Sequence, residues 1–313
     1  MAIKFLDRKE IDTEKWDACV ASHPESASLF AETGYLDACC EQWSALVQDD
    51  YQAVMPLPWK KKAYIYYVYP PFFLPRLGLY GKEISVGELP EWINAIPSYF
   101  KWIDKVLNVS VPENPFLYLQ HKTYLLDLSL PYEEIQQGYH QNHKRNCRKA
   151  KDNGLKIVNN FSCEEVINLF RNKSAKTYKA GYTENDYRQL LLLLQVLQEK
   201  QQLEMWGVLD SNNKLCAGAF FPFDEGKYYF LFSGRNVESN TNKAMFFLID
   251  QFIRQHAGQN KILDFNGSNH PDIAKFYAGF GAQAMSYDEI HLARFRPLEK
   301  LGFKLYRKLK RLK

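Results

Sequence analysis

Asp264-Phe265-Asn266-Gly267-Ser268 closes a strand read from Lys261 to Phe265. After Asn269-His270-Pro271 comes a short helix, Asp272 to Ala278, running into Phe276-Tyr277-Ala278-Gly279-Phe280-Gly281 and strands from Ala282 to Phe295. Asn266, Ser268 and Tyr277 thus fall at or just past a strand end, where polar side chains can gather around a ligand. Ahead of this stretch the sequence reads as a helix from Asn242 to His256. Before that stand three meander strands, Leu203 to Leu209, Leu215 to Phe223 and Lys227 to Phe232, set off by the turns Asp210-Ser211-Asn212-Asn213 and Asp224-Glu225-Gly226. Earlier still, Ser162-Cys163-Glu164-Glu165 is a capping box for a helix to about Lys179, and Thr183 to Asp186 caps another to Lys200. Leu155 to Val158 reads as a strand. Pro131, with Glu133 and Glu134, opens a helix that Gly154 closes, and Thr123 to Leu128 alternates as a strand. The order is α+β with a mixed sheet.

The first 120 residues are harder to read. Helices are expected from Asp12 to Ala21, Glu32 to Gln42 and Leu89 to Val106. Strands are expected at Ser44 to Asp49, Tyr51 to Trp59, Ala63 to Tyr69 and Phe116 to Gln120. Tyr64 to Tyr80 is dense in Tyr, Phe and Pro, which suits sheet edges and ordered loops. A chain of 313 residues, 46% of them hydrophobic, suffices for two domains with substantial cores. The expected division is 1–120, 121–295 and a tail, 296–313.

The net charge of +4 is unevenly placed. The tail from Arg296 to Lys313 is +7 and the rest of the chain −3, which excludes a protein that coats nucleic acid over its whole surface. Leu298, Leu301, Leu305, Leu309 and Leu312 repeat at helical spacing along that tail. The pattern suits a basic amphipathic helix on anionic lipid or RNA phosphates, or one docked on its own domain. Cys19, Cys39, Cys40, Cys147, Cys163 and Cys216 show no disulfide-like or zinc-like spacing, and the histidines form no metal motif. With charges where a signal peptide needs apolar residues and no spanning stretch, the expectation is a cytoplasmic protein, peripheral at the membrane's inner face if the tail binds lipid.

Between His140 and Gly154 the chain gathers cations. Lys144, Arg148 and Lys151 share one helical face, with Arg145 and Lys149 on the neighbouring stripe. Such a face either holds phosphate or carboxylate or is simply solvated. Its spelling, Arg145-Asn146-Cys147-Arg148-Lys149-Ala150-Lys151-Asp152-Asn153-Gly154 after the strand Tyr124-Leu125-Leu126-Asp127-Leu128, resembles the FemAB family. These are peptidoglycan-bridge aminoacyltransferases and their relatives, built as two GNAT-like domains. The Asp-Phe-x-Gly-Ser strand end and Phe-x-x-x-Phe-Gly turn quoted first resemble that family too, in the same order. The resemblance covers about residues 120–313. It implies two GNAT-like domains with mixed, largely antiparallel sheets.

The resemblance also implies N-acyl or aminoacyl transfer to an amine of a cell-envelope precursor or polysaccharide, held between the domains and contacted by Arg145, Arg148 and Lys149. The alternative is a non-catalytic relative that binds an envelope ligand or partner. Amine attack on an ester or thioester needs donors for the oxyanion and an acid for the leaving group. Asp264, Asn266, Ser268 and Tyr277 are the candidates, with Tyr277 as the acid. Tyr277 stands where family members using aminoacyl-tRNA resemble one another in a Lys. Acyl-CoA and aminoacyl-tRNA are both donors to consider, with no metal. Arg235, Thr241 and Asn242 are placed to hold a donor phosphate, although Arg235 to Asn242 lacks the glycines of a coenzyme A loop.

Overall fold

The computed structural model describes residues 2–22, 28–62, 64–81, 86–174, 181–296 and 299. The tail expected as a helix therefore lies outside the described residues, apart from Arg296 and Glu299. Two compact units are formed, residues 1–120 with 287–313, and residues 121–286.

In the first unit, β1 (Ile3–Asp7), α1 (Thr13–Ala21) and α2 (Thr33–Cys39) precede β2 (Trp43–Gln48), β3 (Ala53–Lys62), β4 (Ile65–Val68) and β5 (Tyr80–Gly81). α3 (Leu89–Ala95) and β6 (Phe100–Val106) follow. β1, β2, β3 and β4 pair antiparallel in turn, and β4 runs parallel to β6. The helix expected from Leu89 to Val106 is a helix and a strand. Ile96, held extended (φ −63°, ψ 124°), precedes Pro97, and a residue before proline is pushed out of the α region. β6 then buries Phe100 and Ile103 beside Trp92 and Ile93.

β7 (Leu117–Asp127) carries the chain into the second unit as one strand where two short ones were expected. There follow α4 (Tyr132–Gln137), α5 (Gln141–Asp152), β8 (Lys156–Val158), α6 (Cys163–Leu169) and α7 (Glu184–Glu199). Next come β9 (Leu203–Leu209), β10 (Leu215–Pro222), β11 (Lys227–Tyr229) and β12 (Phe232–Arg235). α8 (Ser239–Asn242), α9 (Ala244–His256), β13 (Ile262–Asp264) and α10 (Pro271–Ala278) complete the unit. β7, β13 and β11 neighbour one another in one sheet, and β12, β10, β9 and β8 form a second. α9 is buried along most of its length, with Phe252 stacked 3.9 Å from Phe221 and 5.3 Å from Trp206. Burying one such ring contributes about 2–3 kcal/mol.

Two expectations are corrected here. The single helix from Pro131 to Gly154 is two, because the His140 amide donates to Gly279 O at 2.9 Å and the backbone at His140 is extended. The helix from Ser162 keeps its capping box but passes at Phe170 into a π turn, Phe170–Ser174, and its expected end near Lys179 lies outside the described residues. Gly234 lies so close to α6 and that turn that a Cβ would fall 2.1 Å from Val166 O and 2.7 Å from the Phe170 amide nitrogen.

β14 (Gln283–Ala293) ends the described secondary structure, and its Glu289–Ala293 portion pairs antiparallel with β6. Residues 287–295 therefore group with the first unit rather than with the 121–295 domain expected from the sequence. Asp288, buried there, accepts from Ser110 Oγ, the Val111 amide and Asn114 Nδ2. Arg294 donates to Ile93 O and Ile96 O, both at 2.6 Å. Among the described residues no helix is long and apolar enough to cross a membrane.

Candidate active site

β11 and β13 run parallel for three rungs, Lys227↔Ile262, Tyr228↔Leu263 and Tyr229↔Asp264. One more bond follows, from the Phe230 amide to Asp264 O at 2.8 Å. The next amide, Leu231, donates instead to Phe220 O on β10, and β12 continues on that second sheet. Within two residues the chain changes sheets. On the other side Asn266 (φ 55°) and Gly267 (φ 78°) turn β13 away. Between them opens a pocket of about 420 Å³. Its lining includes Phe230, Phe232 and Arg235 around the passage from β11 to β12, Phe265 and Asn266 at the end of β13, and Phe246, Phe276 and Tyr277 from α9 and α10. Arg235 and Asp272 are the only charged residues among those described as lining it.

Of the four residues expected at the reacting centre, Tyr277 and Asn266 line this pocket. Tyr277 is 9% exposed, its ring stacked on Phe265 at 4.7 Å and edge-on to Phe230 at 5.9 Å. Asp264 and Ser268 do not line it. Asp264, 2% exposed, accepts from Thr123 Oγ1 at 2.6 Å and the Asn266 amide at 2.8 Å. It thereby sets the left-handed pair Asn266-Gly267, a conformation asparagine tolerates better than most side chains. Ser268 Oγ accepts from the His270 amide at 3.0 Å, at the entry to α10. Both residues shape the turn that delivers Asn266 and Tyr277.

The Phe-x-x-Gly-Phe-Gly spelling is explained by a residue that charge and spacing did not mark. His143, on α5, is 4% exposed, with Nε2 2.9 Å from Phe276 O. The ring meets Phe280 at 4.7 Å and Phe246 at 4.9 Å, and a Cβ on Gly279 would fall 1.9 Å from it. Only glycine fits there. Nε2 donates to the Phe276 carbonyl, and Nδ1 is buried with no hydrogen-bond partner among the described residues. Burial disfavours a second proton, which pushes the imidazole down to about 4. His143 thus ties α5 to the helix that carries Tyr277. The signal lay inside the basic run, masked by the cations around it.

Arg145, Arg148 and Lys149 stand on the opposite, exposed face of α5, and none lines the pocket. Arg145 donates to Asn142 Oδ1 at 2.9 Å. The proposed phosphate group divides similarly. Arg235 reaches the pocket, whereas Thr241 is exposed and does not line it. Asn242 Oδ1 accepts from the Ala244 amide at 3.1 Å, and Lys243 is left-handed (φ 65°). The first amide of α9 is therefore already capped by the chain.

No family model matches the chain, and no curated protein matches it. Solved structures do. The crystal structure of FemX is 14% identical, over 93% of this chain and 97% of that one, at a TM-score of 0.66. A tandem GNAT protein from the clavulanic acid biosynthesis pathway is 11% identical, over 94% and 99%, at 0.52. The C-terminal domain of a putative lysylphosphatidylglycerol synthetase from Agrobacterium fabrum is 10% identical, over 93% and 94%, at 0.52. The chain has a FemX-like tandem GNAT fold. Within the second GNAT-like unit, the parting of β12 from β13 is the feature that opens the pocket. The N-terminal GNAT-like unit was placed from the sequence only by size and position.

Proposed function

We propose that the second GNAT-like unit transfers an acyl or aminoacyl group from a thioester or ester to an amine on a cell-envelope precursor or polysaccharide. The observation that carries this reading is the aromatic pocket at the parted strands, with Tyr277 in its wall. In the reaction a neutral amine attacks the carbonyl carbon, the C–N bond forms, and the C–S or C–O bond breaks. Tyr277 gives its hydroxyl proton to the departing sulfur or oxygen and recovers one from the attacking nitrogen, so the proton count closes. The side-chain amide of Asn266 is the candidate donor to the oxyanion. Aromatic rings line much of the pocket, and beside such low-dielectric surfaces fixed dipoles act more strongly than in bulk solvent.

Envelope chemistry as the setting rests on the FemAB-like motifs and on the names FemX and putative lysylphosphatidylglycerol synthetase among the structural relatives. The commitment of Asp264 and Ser268 to the turn favours a second reading, a non-catalytic relative that holds the same ligand. One experiment separates the two. Purified protein is incubated with acyl thioesters and esters and a panel of amines, and amide products are sought by mass spectrometry, alongside ligands that copurify. Amide formation supports transfer. A bound donor returned unchanged with every amine supports binding alone.

A further inference from the structure

We propose that the acyl group reaches this pocket on the pantetheine arm of an acidic carrier protein, which docks on the exposed cationic face of α5. The inference rests on the acyl-donor reading above. A donor ending in a nucleotide diphosphate needs free amides at a helix start. Here the loop from Arg235 to Asn242 lacks the glycines that would free its amides for a diphosphate, and Asn242 caps one amide, Ala244, of the helix that follows. A thioester is better anchored here by something other than a diphosphate. The pocket beyond is largely apolar, with Arg235 its one cation among the described lining residues, which suits an acyl chain and an uncharged arm.

α5 supplies the other half. Arg145, Arg148, Lys149 and Lys151 are exposed, and none pairs with a carboxylate among the described residues. The opposite face of the same helix sets His143 against the pocket walls Phe246 and Phe276, and the residue capping its C-terminus is Asn153, which holds Asn242. The cationic patch therefore lies on the outer face of the helix that backs the pocket walls, and that helix's C-terminal cap reaches the residues just before α9. Its size matches a protein partner. Twelve residues of helix span roughly 18 Å, enough for one acidic helix, and the chain ahead of its last eighteen residues is −3, with no long phosphate track.

The test compares three donors on the intact chain by isothermal titration: octanoyl acyl carrier protein, octanoyl-CoA and octanoyl-pantetheine. The charged carrier should bind at least about tenfold tighter than octanoyl-CoA, and its advantage should fall with salt. Arg145→Glu with Arg148→Glu should weaken it at least about tenfold, while Lys214→Glu, an exposed charge reversal on a turn, should not. Equal binding of octanoyl-CoA overturns the proposal. So does a carrier affinity indifferent to the α5 reversal. Octanoyl-pantetheine tests the reading beneath. Should it fail to bind, the acyl-donor assignment itself falls; should it bind while the carrier shows no advantage, only the carrier proposal does.

Discussion

Where β11 gives way to β12, the chain changes sheets and leaves a pocket walled by aromatic rings, with Tyr277 in the wall. A short loop later, at the start of α9, Asn242 Oδ1 caps the Ala244 amide and Lys243 turns left-handed. One place is open and lined by rings; at the other the chain's own side chain takes the first helix amide. On the acyl-transfer reading proposed above, the contrast separates recognition of a donor's acyl end from recognition of its nucleotide end.

The largest effect expected is at the open end. Tyr277→Phe keeps the ring stacked on Phe265 and removes only the hydroxyl. Amide formation should fall about 10²–10⁴-fold, with unfolding free energy changed by less than about 1 kcal/mol. Rate assays and urea unfolding on the same preparation check both, and an unchanged rate would leave the pocket as a binding site alone.

His143 connects the open end to the cationic helix, and its effect is read in pH. Its folded pKa of about 4 lies below the ordinary 6.5. The unfolded chain therefore binds the extra proton in that window. The stability contributed by the neutral ring is complete above about pH 6.5 and is lost as pH falls toward 4, on the order of 3 kcal/mol in all. In His143→Gln, which retains a donor for Phe276 O, this part of the pH dependence should vanish from urea titrations.

Gly279→Ala puts a methyl group into the His143 ring, with the turn beside it fixed by the bond from His140 to Gly279 O. Overpacking of this kind costs about 1–3 kcal/mol, and thermal unfolding should show it. At the closed end, Asn242→Ala should cost only about 1 kcal/mol, the usual size of a lost helix-terminal cap. It should give no gain in coenzyme A affinity, since Lys243 and the missing glycines remain. A clear gain would mean that a single side chain closes the site.

The legible parts of the sequence were those governed by local rules. The capping boxes at Ser162 and Thr183 and a strand within Lys261 to Phe265 appear in the structure, whereas the expected third meander strand, Lys227 to Phe232, is split between two sheets. Asn266 follows that strand within Lys261 to Phe265 directly, and Tyr277 lies on the short helix that comes next. What escaped depends on partners distant in sequence. His143 is defined by Phe276 and Gly279, more than 130 residues away. The break between α4 and α5 comes from a bond to Gly279 O, and Asp264 reads as reactive until Thr123 is seen to hold it. Residues 287–295 looked like a continuation of the second unit because their pairing with β6 leaves no local mark.

The most direct test of the central claim, that the parted strands form the acyl-donor site, fills the gap. Ser233 lines the pocket on β12, partly exposed, and Ser233→Trp would occupy it with a ring. Calorimetric titration with octanoyl-pantetheine should show saturable binding to the parent chain and a loss of at least about tenfold in the variant, with the melting temperature of the two alike. Equal affinity in both would place the donor elsewhere and contradict the account.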